Sequence, residues 1–524
     1  MITDTGEETS ALATVPPPRS TVAPASGSEP APQSTGATYY VGRHSCNDAG
    51  PGSEAHPFCS IGIALAALRP GDTLVILKGT YTNRLVVNSI AGTGNAPITI
   101  RGESAESVVF DGGCPGFPCG VNDVSGEWDD DEMGMVMLTD SSHFVLRDLT
   151  VQNVIAVGVA VMGGNDIWVE NITIHGTGHA GMLFKYLSGL TVAGNDIGFI
   201  QHGWKDENDD VQVGAHESLS VVGVEDFTVR DNTVHDSLKE GIDIKESATN
   251  GEATNNFVER TCLVGIYINE AQQVTVRDNQ VRAAGYFLTG DGEEDLCRNQ
   301  PTFGDLYGRY YGGGIQVAVG DLGDLSTGRL SDLILVRNVV WNSVGNGLEF
   351  WDELEESGQG DGTMTDIQVH NNVFYNTTFA GIRLEDAQNV TIANNILMLN
   401  AEAPLTGDMV GSSTLSHNLF FPVEGTAGNH PVTVDPLFVN PVGGDFHLQP
   451  DSPAIDAGLD VGLPYTGNAP DMGAYEFSAG GSETRSDGAV RLTTPPAGGS
   501  DQNPAFAPDD SQMVFTRFDN GYND

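Results

Sequence analysis

The sequence predicts an all-β solenoid, a parallel β-helix, on three observations: a short repeat, strand-like alternation within it, and Asn or Asp at one recurring position. The segments VLRDLTVQN, WVENITIHG, TVAGNDIGF, TVRDNTVHD, ATNNFVERT, TVRDNQVRA, LVRNVVWNS, QVHNNVFYN, TIANNILML and LSHNLFFPV carry it. They place that residue at Asp148, Asn171, Asn195, Asn232, Asn256, Asn279, Asn338, Asn372, Asn395 and Asn418. Most separations are 23 or 24 residues, with exceptions of 37, 59 and 34. Such a period is too short for a propeller blade, and the alternation has no helical stripe, so each repeat reads as one coil of stacked strands. Asn side chains stacked at one turn can hydrogen-bond from coil to coil, which gives the repeat a physical reason.

The elements follow in chain order. Residues 1–37, rich in Pro, Ser, Thr and Ala with few large apolar side chains, read as a disordered linker. Residues 38–112 read as an N-terminal cap and first coils. There TYYV is a strand, Ile61, Leu65 and Leu68 mark one face of a short helix, and DTLVILKGTY and ITIRG are strands. A helix at this place can plug the open end of a solenoid. The parallel β-helix is expected over 113–425, C-terminal coils and a cap over 426–477, a linker over 478–502 and a truncated repeat over 503–524.

The balance of 23 basic against 71 acidic residues gives a formal charge of −48 over 524 residues, which disfavours nucleic acid and anionic membranes as partners. Solubility in a salty medium is the plain reading of this excess, and calcium loading is the functional one. No apolar run approaches the roughly 20 residues that cross a bilayer, and MITDTGEETS lacks the features of a signal peptide. Six cysteines fall into sequence-close couples, Cys46 with Cys59, Cys114 with Cys119 and Cys262 with Cys297. None has a zinc spacing, so disulfides in an extracellular or cell-surface chain are the reading. No organic cofactor is expected, and the chain is taken as a monomer.

A second motif recurs beside the Asn positions: GMLF, GIDI, GIYI, GIQV, GLEF and GIRL. Residues after the Gly alternate in and out, so outward residues of successive coils line up. One column reads Leu183, Asp243, Tyr267, Gln316, Glu349, Arg383 and the next Lys185, Lys245, Asn269, Ala318, Trp351, Glu385. A solvated face also carries charges, yet carboxylates, lysines, Tyr and Trp together suit a sugar. The irregular spacings come from insertions at roughly 199–215, 284–312 and 352–366, read as walls on one side of this face. His202 and His216 flank the first wall, within reach of a substrate. Asp206, Glu207, Asp209 and Asp210, with Glu246 nearby, form an oxygen-rich group suited to Ca²⁺. The run Asp129, Asp130, Asp131 and Glu132 reads as a solvated loop, and His235 as a turn residue satisfied by backbone.

Two stretches, TYYVGRHSCNDAGPGSEAHPFCSIGIALAALRPGDTLVILKGTY and DPLFVNPVGGDFHLQPDSPAIDAG with DMGAYEF, resemble secreted right-handed parallel β-helix proteins of the pectate-lyase-like superfamily. With the repeat, the resemblance covers about residues 38–477 and implies a right-handed helix, in keeping with the usual crossover preference. NPAFAPDDSQMVFTR looks like the opening strands of a TolB-like propeller repeat. EGIDIKESATNGEATNNF is similar to the catalytic-lysine segment of alginate- and chondroitin-cleaving polysaccharide lyases. By that resemblance Lys245 takes the proton α to a uronate carboxyl group, with Asp243 two residues away to influence it. Where those families carry an Arg on the following coil, this sequence has Asn269; Arg309 stands in for it, with Tyr310 or Tyr311 as proton donor.

The residues leave other functions open. Glu349 and Glu385 lie on neighbouring coils at roughly 8 Å, inside the window of inverting glycosidases, with Trp351 to stack on a pyranose. Arg383, opposite Glu349, can instead hold it as a structural ion pair. A cell-surface solenoid that binds a glycan without cleaving it is the third reading.

Overall fold

A computed structural model of the chain describes residues 36–114, 132–200, 204–205, 211–212, 216–284, 313–320, 326–354, 362–422, 428–478, 500–506 and 513–518. The strands form the faces of a right-handed parallel β-helix. Its first face stacks Met182–Lys185, Leu219–Val222, Ile242–Lys245, Ile266–Asn269, Ile315–Val319 and Leu348–Asp352 in parallel register. The second stacks Ser188–Ala193, Glu225–Arg230, Thr249–Thr254, Gln272–Arg277 and Arg329–Val336. The third stacks Asp196–Ile200, Thr233–Ser237, Phe257–Thr261, Gln280–Arg282 and Val339–Trp341. Alternation then fixes direction: Ile242, Ile244, Ile266, Ile268, Val317 and Phe350 point inward and are fully buried in one continuous core.

Single left-handed residues turn the corners. Asp231, Asn255 and Asp278 hold one corner of successive coils at φ 57°, 54° and 55°; Asn and Asp tolerate this region because their short polar side chains hydrogen-bond locally. The residue after each corner is the laddered Asn. Asn256 donates from both its backbone N and Nδ2 to Asn279 Oδ1 at 2.9 Å, and Asn279 does the same to Asn338 at 3.1 and 3.0 Å. Each Nδ2 also caps a strand carbonyl, as Asn279 does with Ala253 O at 2.9 Å.

The buried ladder begins at Asn195, not at Asp148. Asn195 Oδ1 accepts the N–H of Ile172, so Ile172 fills the laddered position on that coil, with Leu149 as its partner one coil earlier. Asp148 and Asn171 sit one residue upstream, at the left-handed corner, with φ 60° and 50°. Asn171 Nδ2 donates to Asp148 Oδ1 at 2.6 Å there. The continuous strands Gly134–Val154 and Val157–Thr177 put apolar side chains where later coils put Asn.

The recurring Gly before each first-face strand answers to a close approach. A Cβ on Gly265 would lie 2.8 Å from Gly314 O and 2.3 Å from Val281 Cγ1. At the amino end the helix Ile61–Ala67 packs against the core through Ala64 and Leu65, as a plug does. The other end closes differently from the helix plug. After Ser416 pairs with Asn429 and Leu419 with Val432, the chain returns along the third face. There Phe446 packs on Trp341 and Tyr375 at ring distances of 5.7 and 5.4 Å. Cys46 and Cys59 form the expected disulfide. Cys114 and Cys262 are also disulfide-bonded, to partners outside the described residues. Ser500–Phe506 and Met513–Phe518 form an antiparallel pair. No helix among the described residues is long and apolar enough to cross a membrane.

Replacing Asn279 with Ala removes the acceptor for Asn256 and the donor to Ala253 while leaving both backbone groups buried. The expected loss is about 2 to 4 kcal/mol, read as a lower urea midpoint with the same fold by circular dichroism.

Candidate active site on the first face

The predicted outward columns are present, with one coil added. Ser220 and Val222 stand between Leu183 and Lys185 on one side and Asp243 and Lys245 on the other. Lys185 and Lys245 are therefore two coils apart, roughly 10 Å. The columns are not a solvated face: Asp243, Asn269, Gln316 and Lys245 are 0, 1, 5 and 8 % exposed. The chain between Ile200 and Leu219 and that between Arg282 and Ile315 both lead into first-face strands, whereas the chain between Asp352 and Thr363 leaves one. Most of the residues of the expected walls lie outside the described residues. Buried carboxylates anchor the edge at which the strands end: Glu270 accepts from Gly320 N at 3.0 Å and Ser326 Oγ at 2.7 Å, and Asp352 accepts from Gly362 N at 2.7 Å.

Lys245 is the centre of the enclosed part. Its Nζ donates to Glu217 Oε1 at 3.1 Å and lies 3.1 Å from Asp243 Oδ2. Ser220 Oγ donates to Glu217 Oε2 at 2.8 Å. Burial pushes Glu217 up, but Lys245, Lys239 and His216 outweigh it and hold the carboxyl well below the usual range. Glu240 goes the other way, raised to about 7 by burial and by Glu217. On the next coil Asn269 Nδ2 donates to the Tyr267 hydroxyl at 3.2 Å. Lys185 is ion-paired with Glu132, and His216 Nε2 is 4.0 Å from the same Glu132 oxygen. Glu132 is therefore part of the site and not of a solvated loop.

The remaining expectations divide. Arg383 Nη1 is 3.4 Å from Glu349 Oε1 and its Nη2 is 2.9 Å from Glu385 Oε2, so one guanidinium ties both carboxylates of the hydrolase reading. Trp351 is half-buried beside them, register partner of Ala318. His202, Arg309, Tyr310, Tyr311, Asp129, Asp130, Asp131, Asp206, Glu207, Asp209 and Asp210 lie outside the described residues. Glu246 is buried, and no group of three or more His, Cys, Asp or Glu side chains among the described residues is arranged to hold a metal ion. Lys245 Nζ lies between the carboxyl groups of Glu217 and Asp243. Glu217 and Ser220 were not singled out by sequence, and Lys239 and Glu240 only as part of the segment around Lys245. The first two lie on the coil whose opening residue is Ser218, outside the Gly motif.

His235 is not held by backbone. Its Nε2 is 3.0 Å from Asp196 Oδ1 and its Nδ1 2.6 Å from Asp236 Oδ2, with Arg260 on the far side of Asp236. Burial lowers its basicity, but the two carboxylates outweigh burial and raise it from 6.5 to about 9. A folded value above the unfolded one contributes stability below about 6.5 that is lost as pH rises through about 9. Between those limits the wild-type melting temperature should fall more steeply with pH than that of a His235→Gln variant.

The fold and the enclosed strip define a right-handed parallel β-helix with an ionisable cleft on its first face. The profile of the family described as right handed beta helix region matches residues 133–352. An uncharacterized protein of Bacillus subtilis, YwoF, is 22% identical over 461 residues, covering 78% of this chain and 90% of that one. Pectate lyase PEL9 of Emericella nidulans is 30% identical over 119 residues, covering 22% of this chain and 28% of the enzyme. The crystal structure of pectate lyase Pel9A superposes with a TM-score of 0.49 at 17% identity, over 85% of this chain and 97% of that one.

Proposed function

We infer that this protein is a carbohydrate-active enzyme working outside the cell, which cleaves a uronic-acid polysaccharide by β-elimination with Lys245 as base. The observation that carries the reading is the enclosure of Lys245 between Glu217 and Asp243 on the first face. A lysine serving only as a surface ion pair would lie open to solvent, where such a pair contributes little. The stretch of 30% identity to a pectate lyase is in keeping with the substrate class.

In this reading the polysaccharide lies along the outward columns, across the coils. Its uronate carboxylate faces Lys185 and Lys239, whose charges favour the build-up of negative charge on the carboxyl group. Neutral Lys245 takes the α-proton. The C–H electron pair moves into the carboxyl group and then expels the glycosidic oxygen from the next carbon, leaving a double bond. Tyr267, on the coil after Lys245, is the phenol placed to give a proton to the departing oxygen. Arg309, Tyr310 and Tyr311 remain candidates for the same step. Calcium through Asp206, Glu207, Asp209 and Asp210 is a separate proposal, and no step here runs through it.

Hydrolysis by Glu349 and Glu385 fits less well, because one Arg383 guanidinium is ion-paired with both carboxyl groups. Incubation with alginate, pectate and glycosaminoglycans, with and without Ca²⁺, should give ultraviolet absorbance of unsaturated uronates. Lys245→Ala should abolish it while leaving substrate binding largely intact. No absorbance on any of them, with reducing ends released from a neutral glycan, would replace elimination by hydrolysis.

A further inference from the structure

Asp243 is the group on the cleft floor whose surroundings least suit a charge. Its side chain is 0 % exposed, and neither carboxyl oxygen receives a hydrogen bond from the described residues. A carboxylate removed from water needs several donors to offset its lost hydration. Groups on three strands face it, and none gives either oxygen a hydrogen bond. On its own strand Lys245 Nζ lies 3.1 Å from Oδ2 but donates to Glu217. On the preceding coil its register partner Ser220 directs its hydroxyl to Glu217 Oε2 at 2.8 Å. On the following coil its partner Tyr267 accepts from Asn269 Nδ2 at 3.2 Å. The other nearby charges, Lys239 and His216, act on Glu217, and the Glu240 carboxyl opposes ionisation of Asp243.

Glu217 by contrast has the Ser220 hydroxyl and the Lys245 ammonium, as a carboxylate requires. We propose that Asp243 is a neutral carboxylic acid whose hydroxyl donates to Glu217, and that the two form a positioning pair presenting Lys245 with one negative charge in place of two. The electrostatics agree in direction. Asp243 is pushed well above the ordinary carboxylate range, by burial first and then by Glu217 and Glu240 against the pull of Lys245.

The consequence for catalysis rests on the reading of Lys245 as the base. Two carboxylates would grip the ammonium and keep its proton in place. With one, the ammonium is held less tightly and loses a proton more readily: an N–H bond breaks and the proton leaves to water. Nζ is left with the lone pair that elimination uses. Asp243 takes no proton from the substrate and acts through Lys245 and Glu217.

Infrared spectroscopy of the whole protein at about pH 9 reads the pair directly, since exposed carboxyls and Glu240, at about 7, are then ionised. The wild type should show the carbonyl stretch of a protonated carboxylic acid. Asp243→Asn should lose it, and so should Glu217→Ala, in which Asp243 faces Lys245 alone and ionises. No such band in the wild type, or a band that survives Asp243→Asn, overturns the pair. If Asp243→Asn does not fold, Glu217→Ala makes the assignment.

Melting curves give a second readout. A carboxyl whose folded value is raised destabilises the fold progressively as pH climbs from its unfolded value near 3.8 toward the folded one. The melting temperature of Asp243→Asn minus that of the wild type should therefore grow between about pH 4 and neutrality; a difference that stays flat overturns the proposal. The two readings fail separately. Elimination without the band removes only the pair, and the band without elimination on any uronate glycan removes only the base.

Discussion

Every coil of this protein must accept the coil above and below it at a backbone spacing of about 4.8 Å. That one constraint dictates most of its sequence. It demands Gly where a Cβ would strike the next coil's carbonyl, as at Gly265. It demands residues that tolerate positive φ at the corners, as at Asp231, Asn255 and Asp278. It also demands a buried donor and acceptor at the turn, which Asn256, Asn279 and Asn338 supply for one another. Extra chain is admitted only between strands, where it leaves the stack unbroken, and so insertions gather at the edges of one face.

Stacking also sets the chemistry. A residue type placed at one coil position is carried into a column, and a column of ionisable groups is a problem of mutual compensation. In the described site Lys245 answers Glu217, Lys185 answers Glu132, and Arg383 answers Glu349 and Glu385. A chain of formal charge −48 can meet a polyanion only where cations are concentrated locally; Lys185 and Lys245 stand on first-face strands, and Lys239 in the turn that leads into the strand of Lys245. Glu240 is raised to about 7 by burial first and then by the neighbouring Glu217.

The repeat was legible because its cause is local: corner conformation and laddered Asn recur whatever the core contains. It misled at Asp148 and Asn171, since the corner residue and the ladder residue are adjacent and both favour Asn or Asp. The Gly motif found the first face but passed over the coil opening at Ser218, which lacks the Gly, and with it Glu217 and Ser220. Alternation told which way Asp243 and Lys245 point; it carries no information about the partners they meet there, and so it did not foresee Glu217 beside them. Glu132 and His235 were misjudged for the same reason, because their partners Lys185 and Asp196 lie 53 and 39 residues away.

The most direct test of the account is a crystal structure of the Lys245→Ala variant with a uronic-acid oligosaccharide that the wild type cleaves. The sugar chain should cross the first face, with one uronate carboxylate toward Lys185 and Lys239, its α-carbon over position 245 and the next glycosidic oxygen toward Tyr267. An oligosaccharide seated instead over Glu349, Trp351 and Glu385, or on another face, would contradict the assignment of the site to Lys245.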